Sequence, residues 1–310
     1  MLAFVFPGQG AQSVGMVAAL AAEFPQVRAR YEEASSVLGF DLWALVDAGP
    51  AEELNLTQNT QPALLAASVA TWDVWLACGG PRPALMAGHS FGEYSALVCS
   101  DALAFRDAVG LVADRGRFMQ EAVPAGSGGM AAVLGLDQPA LAAACAAAAE
   151  LGVAQCANLN APGQIVISGA AAAVARAGEL AKQAGAKRVV PLAVSVPAHS
   201  ALMQPAAARF AARIAPIAIN RPQIPVVHNV DVATHDAAED IRAALVAQLH
   251  SPVRWQETIE HFAARGVTQV VECGPGKVLA PLVKRCAAGL EVHTLNGPAE
   301  LRAALAGLGA

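Results

Sequence analysis

The chain is poor in charge and in aromatic rings. Of its 310 residues, 15% are Asp, Glu, Lys or Arg, and 5% are Phe, Trp or Tyr. No Lys/Arg-rich run breaks the sequence, and the net charge is -5. Nucleic acid demands a basic footprint and rewards stacking rings, so it is not an expected partner. Cysteine is sparse too. The six cysteines, Cys78, Cys99, Cys145, Cys156, Cys273 and Cys286, form no C-x-x-C pair and join no histidine at metal-ligand spacing. They read as small core residues in a reducing compartment, and neither metal nor another cofactor is expected. From Leu151 to Ala175 there is no charged residue, but Asn, Gln, Pro and Gly interrupt the stretch. It cannot be a membrane span. Met1–Gly8 lacks a basic start and turns early at Pro7, so it reads as a buried strand and not as an export signal. These absences together predict a soluble, cytoplasmic protein with no membrane and no nucleic acid among its partners.

What the chain does have is apolar surface, at 55% of residues. That is enough for one large domain plus a smaller one. Short apolar runs alternate with helical patterns. Strands are expected at Leu2–Phe6, Ala84–Ala87, Ile224–Val227 and Val267–Val271. Helices are expected at Pro62–Cys78, Phe105–Val123, Ala237–Leu249 and Lys277–Ala287. That alternation predicts an α/β fold, a parallel sheet with helices on both faces. One segment departs from it. Gly129–Leu136, Val153–Leu159, Gln164–Ser168 and Lys187–Leu192 read as strands, with helices at Ala140–Glu150 and Ala171–Ala184. The order β-α-β-β-α-β is ferredoxin-like. The expected division is therefore 1–124 with 196–310 as the large domain, and 125–195 as an inserted small one.

The densest chemical signal is Gly88-His89-Ser90-Phe91-Gly92, a G-x-S-x-G run between an expected strand and the helix-like Glu93–Val98. Glycines permit a turn sharp enough to push a serine hydroxyl out of the chain. The serine then stands at a helix N-terminus, where free N–H groups can stabilise an oxyanion. A tight turn with a capping serine is the plainer alternative. A nucleophilic serine needs a base. Among seven histidines, His89 adjoins Ser90 but should point away from it, and His228 ends a strand and is a possible base. His235, His250, His261 and His293 sit in polar or helical settings. His199 is the best placed. It follows the strand-like Leu192–Val196 and Pro197, where the chain would return from the inserted domain into a cleft. A structural histidine remains the alternative there.

Arg115 falls on the apolar stripe of its helix, in line with Ala108, Leu111, Val112, Phe118 and Met119, while Arg117 falls off it. An inward arginine requires an anion, either a protein carboxylate or a substrate carboxylate; an internal salt bridge or a guanidinium snorkelling to the surface is the plainer alternative. Gly8-Gln9-Gly10 fails the G-x-G-x-x-G spacing at Ser13, and no acidic residue closes a second strand. The loop reads instead as a close backbone approach that aims an N–H, that of Gln9, into a site.

With these residues in place, the chain resembles the malonyl-CoA:acyl-carrier-protein transacylases of bacterial fatty-acid synthesis. The matching blocks run nearly end to end: FPGQGAQ (6–12), TQPAL (60–64), GHSFGEYSALV (88–98), RGRFMQEAVP (115–124), NAPGQIVISG (160–169), VSVPAHSALM (194–203), VVHNVD (226–231) and VECGPGKVL (271–279). The resemblance implies that Ser90 carries the malonyl group and that His199 is its base. It implies that the other nitrogen of His199 is held by the backbone carbonyl of Gln248. Arg115 would grip the malonyl carboxylate, the N–H groups of Gln9 and Phe91 would form the oxyanion hole, and Gln61 and Asn160 would line the cleft. Phe91 stands where leucine is common in the family, and Ala198 where serine is common. Partners implied are malonyl-CoA and holo acyl carrier protein. Lys187 and Arg188 in the small domain are the expected carrier-docking residues, with Lys182 beside them and Lys277, Lys284 and Arg285 as a second cluster. The chain is expected to act as a monomer. Rival readings are a malonyltransferase serving a polyketide synthase or malonate decarboxylase, and a serine thioesterase.

Overall fold

The computed structural model describes residues 1–193 and 196–309. Five strands make a parallel sheet: β1 (Leu2–Phe6), β2 (Leu85–Gly88), β7 (Val226–Val227), β8 (Gln269–Glu272) and β9 (Glu291–Thr294), in the order β7-β2-β1-β8-β9. The central strand β1 is buried along Ala3–Phe6 because helices cover both faces. Side chains alternate accordingly. Phe4 and Phe6 pack with Trp72, Trp75 and Leu64 on one face. Ala3 and Val5 pack with Trp255, Ile259 and Phe262 on the other.

A second sheet of four antiparallel strands comprises β3 (Gly128–Leu134), β4 (Ala154–Ala161), β5 (Gln164–Ala170) and β6 (Arg188–Pro191), in the order β4-β5-β3-β6. With helices Gln138–Ala147 and Ala171–Gln183 between its strands, the topology is ferredoxin-like. Alternation sorts this sheet as well. Ala131, Val133, Ile165 and Ile167 face the two helices. Met130, Ala157 and Val166 form the opposite face, against which Ala198 packs. Backbone bonds stitch β4 to the larger body, Leu159 N–H to the Val253 carbonyl at 2.9 Å and Val253 N–H to the Ala157 carbonyl at 2.8 Å.

The α/β class and the ferredoxin-like segment follow the expectation. Some element limits differ. The helix expected at Pro62 begins at Thr57 and carries Pro62 inside it. Strand β4 runs past the expected Leu159 to Ala161, leaving Pro162-Gly163 as the turn into β5. Strand β6 ends at Pro191, and part of the strand-like stretch Leu192–Val196 lies outside the described residues. Strand β9 was not expected. Its sequence, Glu-Val-His-Thr, has a single apolar residue, which a strand at a sheet edge tolerates. Four cysteines are buried, Cys286 is half-buried and Cys78 is exposed.

Candidate active site

Ser90 lies two residues beyond the end of β2 and two residues before the helix Gly92–Cys99. Its φ is +54°, a left-handed value that a non-glycine residue holds only at a cost. The glycines make the turn possible. A Cβ on Gly92 would lie 2.4 Å from the Phe6 carbonyl oxygen, and one on Gly88 would lie 1.9 Å from the Gly92 carbonyl carbon. Asn229 clamps the turn from beneath. Its Oδ1 accepts the Ser90 N–H at 2.8 Å, and its Nδ2 donates to the Gly88 carbonyl at 2.7 Å.

His199 meets Ser90 at 2.7 Å, Nε2 to Oγ. Its own φ is +61°. Its Nδ1 lies 2.8 Å from the Gln248 carbonyl, which can only accept, so Nδ1 carries the proton and Nε2 is left to accept from the serine. Burial, with the nearby Arg115 charge, pushes the His199 pKa down to about 3. The ring is therefore neutral at physiological pH.

Arg115 is 1% exposed. Its Nη2 lies 3.0 Å from Gln248 Oε1 and 3.4 Å from Ser90 Oγ, and its Nε has no partner among the described residues. No carboxylate forms an ion pair with it there, so the internal salt bridge is not what holds it. Arg117 points outward and pairs with Asp114.

A cavity of about 360 Å³ opens above these groups, between the two sheets. Gln9, Gln61, Phe91, Asn160, Met130 and Val166 are among its walls. The loop Pro7–Gly10 comes close because Gly8 has no side chain; a Cβ there would lie 2.6 Å from the His89 carbonyl oxygen. Among the described residues, no acceptor meets the backbone N–H of Gln9 or of Phe91. Asn160 reaches the wall from β4 and accepts from His89 Nε2 at 2.8 Å. Gln61 contributes a buried Oε1 with no partner among the described residues.

The pattern of the acyl transferase domain matches residues 3–297. The chain belongs to the acyl transferase family. It is 57% identical over 303 residues to the malonyl CoA-acyl carrier protein transacylase of Salmonella typhimurium, covering 98% of each chain. Among solved structures, an acyl carrier protein S-malonyltransferase from Vibrio cholerae superposes with a TM-score of 0.95 at 54% identity, over 97% of this chain and 99% of that one. A malonyl-transacylase in complex with a type II PKS acyl-carrier protein superposes with a TM-score of 0.97 at 54% identity, over 99% of each chain.

Within this acyl transferase, two sequence expectations change position. Gln248, expected among the substrate-binding residues, is fully buried behind the cavity and does not form its wall. His228, weighed as a base, is fully buried with its Nδ1 2.6 Å from Glu93 Oε1, far from any exposed role. Glu93 itself drew no functional reading. The signal was a lone carboxylate in the first turn of the otherwise uncharged helix Gly92–Cys99. Lys182, Lys187 and Arg188 are exposed and form no ion pair among the described residues. The second basic cluster is partly engaged, with Lys277 on Glu300 and Arg285 on the Pro162 carbonyl.

Proposed function

We propose that the chain transfers a malonyl group from malonyl-CoA to the phosphopantetheine thiol of an acyl carrier protein, by way of a malonyl-Ser90 ester. The observation that carries this reading is Arg115: a buried guanidinium with no carboxylate partner, 3.4 Å from the nucleophile. A site that keeps an arginine waiting there is built for an acyl group ending in a carboxylate.

His199 takes the Ser90 proton as the serine oxygen attacks the thioester carbonyl. The oxyanion is received by the N–H groups of Gln9 and Phe91, each donor typically contributing about 3–4 kcal/mol in the transition state. The carbon–sulfur bond breaks, and His199 returns the proton to the CoA thiolate. The carrier thiol then repeats the sequence on the ester, releasing Ser90. Arg115 adds roughly 1.5–3 kcal/mol of charge-assisted binding to a malonyl carboxylate and gives nothing comparable to an acetyl group. Gln61 and Asn160 complete the polar wall, and Lys187 with Arg188 offers the carrier a basic surface.

The reading includes supply of malonyl units to fatty-acid elongation by a monomer acting in the cytoplasm without a cofactor. Among the described residues no helix is long and apolar enough to cross a membrane. The relative bound to a type II PKS carrier supports a second reading in which the acceptor belongs to a polyketide synthase, with the loading chemistry unchanged. The thioesterase reading is disfavoured by the buried arginine. Intact-protein mass spectrometry tests the proposal: malonyl-CoA should add one malonyl group, Ser90→Ala should abolish it, and holo carrier protein should remove it. An adduct discharged by water alone would overturn transfer in favour of hydrolysis.

A further inference from the structure

Behind the nucleophile lies a sealed polar cluster that the transfer chemistry does not use directly. Glu93 is 1% exposed, and His228, Asn229 and Gln248 are fully buried. The Glu93 carboxylate accepts from three sides: His228 Nδ1 at 2.6 Å, the Asn229 N–H at 3.0 Å and Gln248 Nε2 at 2.6 Å. A carboxylate facing a side-chain amide accepts, so the NH₂ of Gln248 must face it. That orientation turns Gln248 Oε1 toward Arg115, which it meets at 3.0 Å. The second amide hydrogen goes to the Ser90 carbonyl at 2.9 Å. The amide is fully occupied and cannot flip without breaking all three bonds.

Two opposite charges are thus buried close together without touching. A buried guanidinium and a buried carboxylate each need compensation, and a direct ion pair would provide it. Such a pair would also occupy the donors that an acyl carboxylate needs. Here one amide stands between them.

We infer that Glu93 is a positioning residue that compensates the Arg115 charge through the side-chain amide of Gln248, leaving the guanidinium face open to the acyl carboxylate. The inference rests on the malonyl reading for the identity of that carboxylate. Glu93 sets the amide orientation, the amide oxygen aims Arg115, and the arginine neither collapses onto a protein carboxylate nor stands in the interior uncompensated.

The test combines Glu93→Gln, Arg115→Ala and the double variant, read by stopped-flow loading of Ser90 from malonyl-CoA and from acetyl-CoA and by thermal unfolding. Glu93→Gln is isosteric but removes the charge and frees the amide to turn. Malonyl loading should fall about tenfold or more, mainly through KM, in line with the loss of a hydrogen bond to a charged group. Acetyl loading should change far less, and Glu93→Asp should recover part of the malonyl rate. In the Arg115→Ala background, Glu93→Gln should leave the malonyl-to-acetyl ratio where it was. The double variant should melt at or above Arg115→Ala, since each single change strands one buried charge and the double strands none. Equal losses with both thioesters, or melting shifts that simply add, would overturn the inference. If Glu93→Gln alone fails to fold, the double variant still decides, because a melting point below that of Arg115→Ala refutes compensation. A wild-type enzyme that takes no malonyl group would refute the functional reading instead, and the melting comparison would stand apart from it.

Discussion

Ser90 and His199 meet at 2.7 Å with both backbones in the left-handed region, φ +54° and +61°. Such conformations cost a non-glycine residue on the order of 1–3 kcal/mol each and persist only where the surroundings impose them. The nucleophile and its base are therefore both held under strain. Ser90→Gly should abolish loading and yet melt higher than Ser90→Ala, by about 1 kcal/mol of stability. Differential scanning calorimetry of the two inactive variants checks this; equal melting points would mean the turn is relaxed.

Burial sets the acid limb of the reaction. With the His199 pKa pushed down to about 3, the base stays neutral well below the ordinary histidine value of about 6.5. The rate of Ser90 loading under kcat/KM conditions should stay flat with respect to His199 from pH 7 down to pH 5, where an ordinary histidine would have cost more than tenfold. An acid limb near pH 6.5 would contradict it. The folded pKa is depressed, so the stabilising contribution of this residue is present above about pH 6.5 and is lost as pH falls toward about 3.

Removing the guanidinium should change which acyl group is accepted. Arg115→Ala is expected to lose about tenfold to a hundredfold in malonyl loading and to keep or gain acetyl transfer. Competition between the two thioesters, resolved by intact mass, gives the ratio directly. An unchanged ratio would remove Arg115 from the pocket's chemistry.

A backbone donor cannot be deleted, but it can be displaced. Gly8→Ala places a Cβ 2.6 Å from the His89 carbonyl oxygen. The loop must shift and carry the Gln9 N–H with it. Loading should slow about a hundredfold, with little change in KM for malonyl-CoA. A rate within twofold of wild type would mean that Gln9 does not serve the oxyanion.

Charge reversal at Lys187 and Arg188 should raise KM for the carrier protein and spare loading from malonyl-CoA, because both side chains are exposed on the small sheet's edge strand and its approach. Equal effects on the two half-reactions would place the carrier elsewhere.

Local pattern made part of this site readable. The glycines around Ser90 announced the turn, and the helical stripe placed Arg115 inward, where it lies. Apart from the family resemblance, His199 was legible by where the chain would re-enter the large body. What stayed hidden depends on contacts between distant segments. Glu93 bonds residues 135, 136 and 155 positions away, and no window of sequence registers that. Strand β9 escaped for another reason: at a sheet edge the apolar alternation weakens until a tetrapeptide with one apolar residue suffices. The helix at Thr57 was cut short at Pro62 because proline usually marks a first turn.

The amide of Gln248 that braces Ser90 lies 158 residues further along the chain, and His199 lies 109 residues further. A ribosome reading this message thus makes the serine long before it makes anything able to activate it. Until the helix Ala238–Gln248 has emerged and docked, the hydroxyl is an ordinary alcohol. The nascent chain can meet a cell full of reactive thioesters and remain chemically silent, and reactivity arrives only with the finished fold.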